Sequence, residues 1–212
     1  MDTNDLIRAL QADTGSRSVS LSNTWGIAAA IAALCAAAAF FILIGPRPDI
    51  AEAAGTVRFL FKFVVTVVLA TGAFVLVTRM SRPGTRLKGA LVLIALAPAL
   101  LAIAVGLEFF AIPADQWSQR WIGSNSMVCL TFIPLIGIAP LAVFVAVLRY
   151  GAPTRPGAAG AVAGLLAGGI AAAFYAAHCP DDSPLFVATW YTIAVFGLTL
   201  LGAIGARLAV RW

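Results

Sequence analysis

The chain has 212 residues, of which 61% are hydrophobic and only 11% charged, and its mean hydropathy is +0.97. A soluble domain carries about 25% charged residues, so a water-soluble globular enzyme is excluded and lipid is the expected solvent. The net charge of +5 does not indicate nucleic acid: most basic residues fall at the ends of apolar runs, where they anchor and orient helices, and no basic stripe with interleaved aromatics lies outside those runs.

Residues 1–23 form the first predicted unit, and 24–212 the second. Within the first, residues 2–13 predict a short helix: Asp2 or Thr3 can cap it, and Leu6, Ile7 and Leu10 fall on one side. So short a helix is marginal in water and needs a surface to fold against, which marks Leu6, Ile7 and Leu10 as candidate partner-binding residues. Residues 14–23, rich in serine, read as a tether.

Six apolar runs follow, at about 25–45, 58–79, 88–110, 127–149, 158–178 and 185–207. Each is near the roughly 20 residues needed to cross a bilayer as a helix. Barrel strands would be shorter and would alternate in polarity. The expected fold is therefore all-α, an integral membrane bundle of six transmembrane helices. The first run follows a mixed-charge polar stretch and ends in Gly45-Pro46-Arg47-Pro48 without a small-x-small cleavage pattern, so it is expected to stay as the first span. Ten basic residues, among them Arg8, Arg17, Arg82, Arg86, Lys88, Arg149 and Arg155, sit on the face that carries both termini. Four sit opposite: Arg47, Arg58, Lys62 and Arg120. That asymmetry predicts both termini in the cytoplasm.

Span one is alanine-rich, with Cys35 near its middle as a packing residue. Lys62 in span two is expected to snorkel to the outer interface, and Glu108, ending span three, is expected to anchor there or to pair with Lys62. Trp117 and Trp121 suit an interfacial belt. Span four opens near Cys129 and contains Pro134 and Pro140, which should kink or loosen it. Span five carries Gly160, Gly164 and Gly168 at four-residue spacing, a small-residue stripe that lets another helix approach closely. That helix can belong to the same chain or to a second copy in a homo-oligomer.

The residues able to carry chemistry are few. The derived topology places Cys129 and Cys179 together on the outer face, where thiols can be oxidised. Two readings stay open: a structural disulfide tying the fifth loop to span four, or a reactive or metal-responsive thiol pair. His178, Asp181 and Asp182 flank Cys179, and thiolate with imidazole is a good soft-metal set. Alternatively His178 is an interfacial residue at a helix end, and Asp181 and Asp182 cap span six with Ser183. No obligatory cofactor is expected, only a transient heavy-metal ion at Cys129 and Cys179. No Ser/His/Asp set, HExxH, phosphate loop or paired inward carboxylates occur, so no enzyme is expected.

The stretch Asp5-Leu6-Ile7-Arg8-Ala9-Leu10, the six spans, Cys129 opening span four, and His178-Cys179-Pro180-Asp181-Asp182-Ser183-Pro184-Leu185-Phe186 followed by Trp190-Tyr191 resemble the NrsF family. The resemblance covers essentially the whole chain, with the His-Cys-x-Asp-Asp-Ser-Pro stretch its most specific part. It implies a bacterial inner-membrane anti-sigma factor, a negative regulator of an extracytoplasmic-function (ECF) sigma factor of the sigma-F type. The partner would then be an ECF sigma factor held by the cytoplasmic N-terminus. Cys129 and Cys179 would take part in sensing heavy metals or oxidants, and Pro134 and Pro140 would give span four two arrangements. About 23 residues is little for such sequestration, so the resemblance requires folding on binding or help from the loops at Arg82–Lys88 and Arg149–Arg155. The rival readings are a small transporter or channel for a metal ion or solute, disfavoured by span centres nearly free of ionisable residues, and an oligomeric membrane scaffold built on the glycine stripe.

Overall fold

The computed structural model describes residues 2–5, 7–8 and 20–210. Among them there is no strand. Six helices are long and apolar enough to cross a membrane: α1 (Leu21–Leu43), α2 (Val57–Met80), α3 (Lys88–Ala111), α4 (Ser126–Leu148), α5 (Pro156–Ala176) and α6 (Pro184–Ala209). The chain is a membrane protein of the expected all-α class. The helices differ from the predicted spans by a few residues at each end, where caps rather than hydropathy set the boundary. Ser20 caps α1 by accepting from Asn23 N, and Thr56 caps α2 by accepting from Phe59 N. Short helical turns at Ile50–Ala53 and Trp117–Ile122 fill two of the connections.

α5 is the hub of the bundle and packs on α6, α2, α4 and α1. Its small side chains make this possible. Gly160 lies directly against Gly202 O and Ala206 of α6, Gly164 against Leu198 O and Thr199 Cα, and Gly168 against the side chain of Val195. The glycine stripe thus faces a helix of the same chain. α1 buries Trp25, Ala28, Ala32, Ala36 and Phe40 along one side, the helical period of a single apolar face. Trp25 stacks on Phe144 of α4 with ring centroids 6.0 Å apart. α3 is peripheral, burying only Ala90, Ala97 and Glu108.

Pro98, Pro134 and Pro140 do not break their helices. α3 and α4 run continuously through them, as membrane helices can when neighbours and local adjustments absorb the lost hydrogen bond. The irregular helix is instead α6, which opens as a turn at Pro184–Phe186 and a π-helical stretch at Val187–Tyr191.

The helices alternate in direction, so the bundle has two distinct ends. One gathers residues 44–56, 112–125 and 177–183. The other holds Leu21 beside Val147 and Tyr150, Ser81 O accepting from Ala152 N at 3.0 Å, and Arg207 against Gly157. Residues 20 and 210 both lie at this second end, here called the terminal end; the first is the cysteine end.

Candidate functional site

The connection between α5 and α6, residues 177–183, is the hub of the cysteine end and contacts α2, α3, the entrance of α4 and the connection between α1 and α2. On the α1 side, Arg47 N donates to Ala177 O at 3.0 Å, and His178 Nδ1 lies 2.9 Å from Gly45 O. Toward α2, Lys62 is wholly buried, with its Nζ 2.6 Å from Asp182 Oδ1 and 2.7 Å from Cys179 O. The ammonium also lies over the Phe59 ring, 5.3 Å from its centroid, which adds a cation–π contact to its two polar partners. Arg47 adds a second cation: its Nη1 is 3.2 Å from Asp182 Oδ2 and 3.4 Å from Cys179 O, and its Nε and Nη2 hold Asp49 in a bidentate pair at 2.6 Å each. That pairing raises the Arg47 pKa and lowers that of Asp49.

Toward α4, Asp181 Oδ2 accepts from Ser124 N at 3.0 Å, Asn125 N at 2.9 Å and Ser124 Oγ at 3.2 Å. These donors stand at the entrance to α4, whose own N-cap, Asn125, makes no side-chain bond. Asp181 therefore caps α4 from another loop. Gly123, at φ +61, makes the approach possible: a Cβ there would collide with the Phe186 ring and lie 2.9 Å from Asp181 Cγ. Toward α3, buried Glu108 Oε2 accepts from Ser183 Oγ at 2.8 Å and Leu185 N at 3.0 Å, while Oε1 is 3.6 Å from Arg120 Nη1. Glu108 thus serves as the acidic cap of α6.

Several expectations are corrected here. Lys62 does not snorkel; a strong acceptor pair within the protein holds it inside. It does not pair with Glu108 either, because Asp182 takes it. Asp181 and Asp182 do not cap α6. Ser183 occupies the N-cap position without a side-chain cap bond, and Glu108 supplies that cap. Glu108→Ala is expected to cost about 1–3 kcal/mol by leaving buried donors on Ser183 and Leu185 unmatched; the thermal unfolding midpoint of the purified chain checks this. Sequence reasoning missed Arg47 as a member of this network. Its one signal was a cation between two prolines on the face that otherwise carries mostly acids.

The two thiols are buried here, one in the loop and one in α4. Cys129, in the first turn of α4, and Cys179 are both free and fully buried in one hydrophobic cluster. Cys179 Sγ is 3.8 Å from Asp181 O. Tyr175 packs in the same layer, its ring 5.6 Å from that of Tyr191 and its hydroxyl 3.5 Å from Asn125 O. Burial pushes the Cys179 pKa up, against the opposing pull of the Lys62 cation, so the resting thiol is protonated and poorly nucleophilic. Among the described residues no group of three or more His, Cys, Asp and Glu is disposed to hold a metal ion, and the carboxylates of Asp181 and Asp182 are engaged elsewhere. Cys35 is free and half-buried in α1.

Residues 3–5 and 7–8 are helical, and Ile7 is 46% exposed. Leu6 and Leu10 lie outside the described residues.

Residues 10–212 match the family described as "Negative regulator of sigma F", NrsF. Over its full length the chain is 33% identical to the anti-sigma-F factor NrsF of Caulobacter vibrioides, and 30% identical to the probable anti-sigma-F factor NrsF of Azospira oryzae, each covered end to end. No solved structure matches it. A membrane bundle with two buried thiols at one end and residues 20 and 210 at the other thus comes with full-length similarity to two regulators of the same kind, and the chain belongs to the NrsF family of negative regulators of sigma F.

Proposed function

We propose that the chain is an inner-membrane anti-sigma factor. With both termini in the cytoplasm, its N-terminal segment holds an ECF sigma factor, and a heavy-metal ion or an oxidant reaching Cys129 and Cys179 from the periplasm releases it. The family description and the names of the two relatives support the sigma-factor half. The sensing half rests on one observation: Cys179 lies in, and Cys129 packs in one hydrophobic cluster with, a loop that is tied to α2, to α3, to the entrance of α4 and to the α1–α2 connection.

The chemistry follows from that position. As a soft ion binds, each sulfur gives up its proton to solvent and forms a metal–thiolate bond. An oxidant instead removes two electrons and two protons and joins the sulfurs. Either product replaces the present packing of Cys179 with a new bond and so bears on the contacts of residues 177–183 with Arg47, Lys62, Ser124 and Glu108. The helices below carry the change to the opposite end. There Leu6, Ile7 and Leu10 would lie in an apolar groove of the sigma factor, folding as they bind. Moving such a switch from mostly bound to mostly free takes on the order of 5 kcal/mol of differential binding.

The test is co-purification of sigma factor with the detergent-solubilised full chain, with and without cadmium. Wild-type chain is expected to retain sigma factor and to lose it with cadmium. Cys129→Ser with Cys179→Ser is expected to retain it in both conditions, and Leu6→Asp with Leu10→Asp in neither. Release by cadmium from the double serine variant would refute the thiol input. Full retention by the double aspartate variant would refute the N-terminal contact.

A further inference from the structure

α3 packs along α2 and against the first turns of α6, then parts from the body of α6. The gap is a cleft of about 390 Å³, walled by Val65 and Leu69 of α2, Ile94 and Leu101 of α3, and Val195 and Phe196 of α6. Its polar groups are spent internally: the Thr66 hydroxyl donates to Lys62 O at 2.8 Å and that of Thr199 to Val195 O at 2.9 Å. A polar solute would find no partner there and would lose its hydration.

The dimensions narrow the occupant further. Along α6 the cleft runs from Val187 to Thr199, which at 1.5 Å per residue is about 18 Å. It starts close to the cysteine end of α6 and stops near mid-bundle, so it spans about one leaflet of a hydrocarbon core roughly 30 Å thick. The cleft is long, apolar and open along its outer side between α3 and α6, a shape that an extended hydrocarbon chain can follow. The surrounding solvent there is lipid. We propose that the cleft binds one acyl chain of a membrane phospholipid, drawn from the leaflet at the cysteine end. The tip of the cleft meets Tyr191, whose ring packs on Tyr175 and Phe186, so the bound chain supports the layer that carries the two thiols from below.

The test uses the full chain in vesicles of phosphatidylethanolamine and phosphatidylglycerol containing a trace of phospholipid with a diazirine in its acyl chain. After photolysis, labelled residues are mapped by peptide mass spectrometry. Labelling of Ile94, Leu101 and Val195 is expected to exceed, several-fold, that of Leu34, Phe41 and Ile42, which are exposed on α1. Ala97→Phe fills the cleft from its α3 wall, and Thr199→Leu narrows it at a half-buried position. Each is expected to lower cleft labelling several-fold and leave α1 labelling unchanged. Equal labelling of the cleft and α1 in the wild-type chain would overturn the proposal, as would undiminished cleft labelling in both variants. Weaker labelling of the cleft than of α1 would also overturn it, and would mean that a second polypeptide fills the space.

Discussion

Lys62→Met is expected to destabilise the chain by about 3 kcal/mol, the lower part of the range for breaking a buried ion pair. Lys62 is wholly buried and bonds Asp182 at 2.6 Å and Cys179 O at 2.7 Å. Methionine fills the same volume but carries no charge. Asp182, with 21% of its side chain exposed, would keep only Arg47, at 3.2 Å, which places the loss below the top of the range. Asp182→Asn is the harsher change, because it leaves a buried ammonium facing a neutral amide. Combining Lys62→Met with Asp182→Leu is expected to recover much of the loss, since removing both charges removes the desolvation cost with them. Thermal unfolding in a fixed detergent reads the stability, and the rate of maleimide modification of Cys179 reads the opening of the loop. Both should move together in the single variants. A loss below about 1 kcal/mol for Lys62→Met, the range of exposed pairs, would mean that the Lys62 pair is not a desolvated one.

The second large effect is expected at the α5–α6 seam. A Cβ on Gly164 would collide with Leu198 O and stand 2.7 Å from Thr199 Cα. Both are backbone atoms, so the helices themselves must separate. Gly164→Ala is expected to cost about 1–3 kcal/mol by overpacking, and Gly164→Leu more. Gly160 faces Gly202 O and Ala206 in the same way and should behave alike. The atoms nearest to a Cβ on Gly168 belong to the Val195 side chain, the closest at 2.8 Å, and a side chain gives way more readily than backbone, so Gly168→Ala should cost less. Gly197 has open space where its Cβ would stand. Gly197→Ala is expected to be neutral or stabilising by up to about 1 kcal/mol through helix propensity. The graded order is the signature of the seam. Equal unfolding midpoints for Gly164→Ala and Gly197→Ala would show that the stripe does not hold α5 and α6 together. Because α6 occupies the stripe, it offers no free surface for a second copy, which removes the feature that suggested an oligomeric scaffold.

Much of this architecture was legible in the chain because hydropathy acts locally. Each span announces itself through an unbroken apolar run, and the close approach along Gly160, Gly164 and Gly168 follows from their missing side chains. The partners of those residues were not legible, since spacing on α5 carries no information about which helix lies opposite. The same limit explains the errors at the cysteine end. Lys62 and Glu108 each sit near a span end at similar depth, and depth alone makes them a plausible couple. In the folded chain they are divided by residues 177–183, where Asp182 takes Lys62 and Ser183 takes Glu108. Asp181 and Asp182 stand just before α6 and look like its caps, yet the turn aims one at α4 and the other at α2.

The amino-acid sequence by itself determined that this is a helical membrane protein of six spans, that Cys129 and Cys179 belong to the same end of the bundle, and that nearly all of the chain matches one family of regulators. These follow from residue type and order, because burial in lipid and helix length depend on composition over short windows. Only the tertiary structure decided that Cys129 and Cys179 are free and buried, that Lys62 and Arg47 clamp the loop that carries Cys179, and that α3 parts from α6 to leave an apolar cleft. Each of these depends on which groups meet across distances of many tens of residues, where the cost of an unpaired buried charge or an unfilled apolar space is settled by neighbours that no local pattern names.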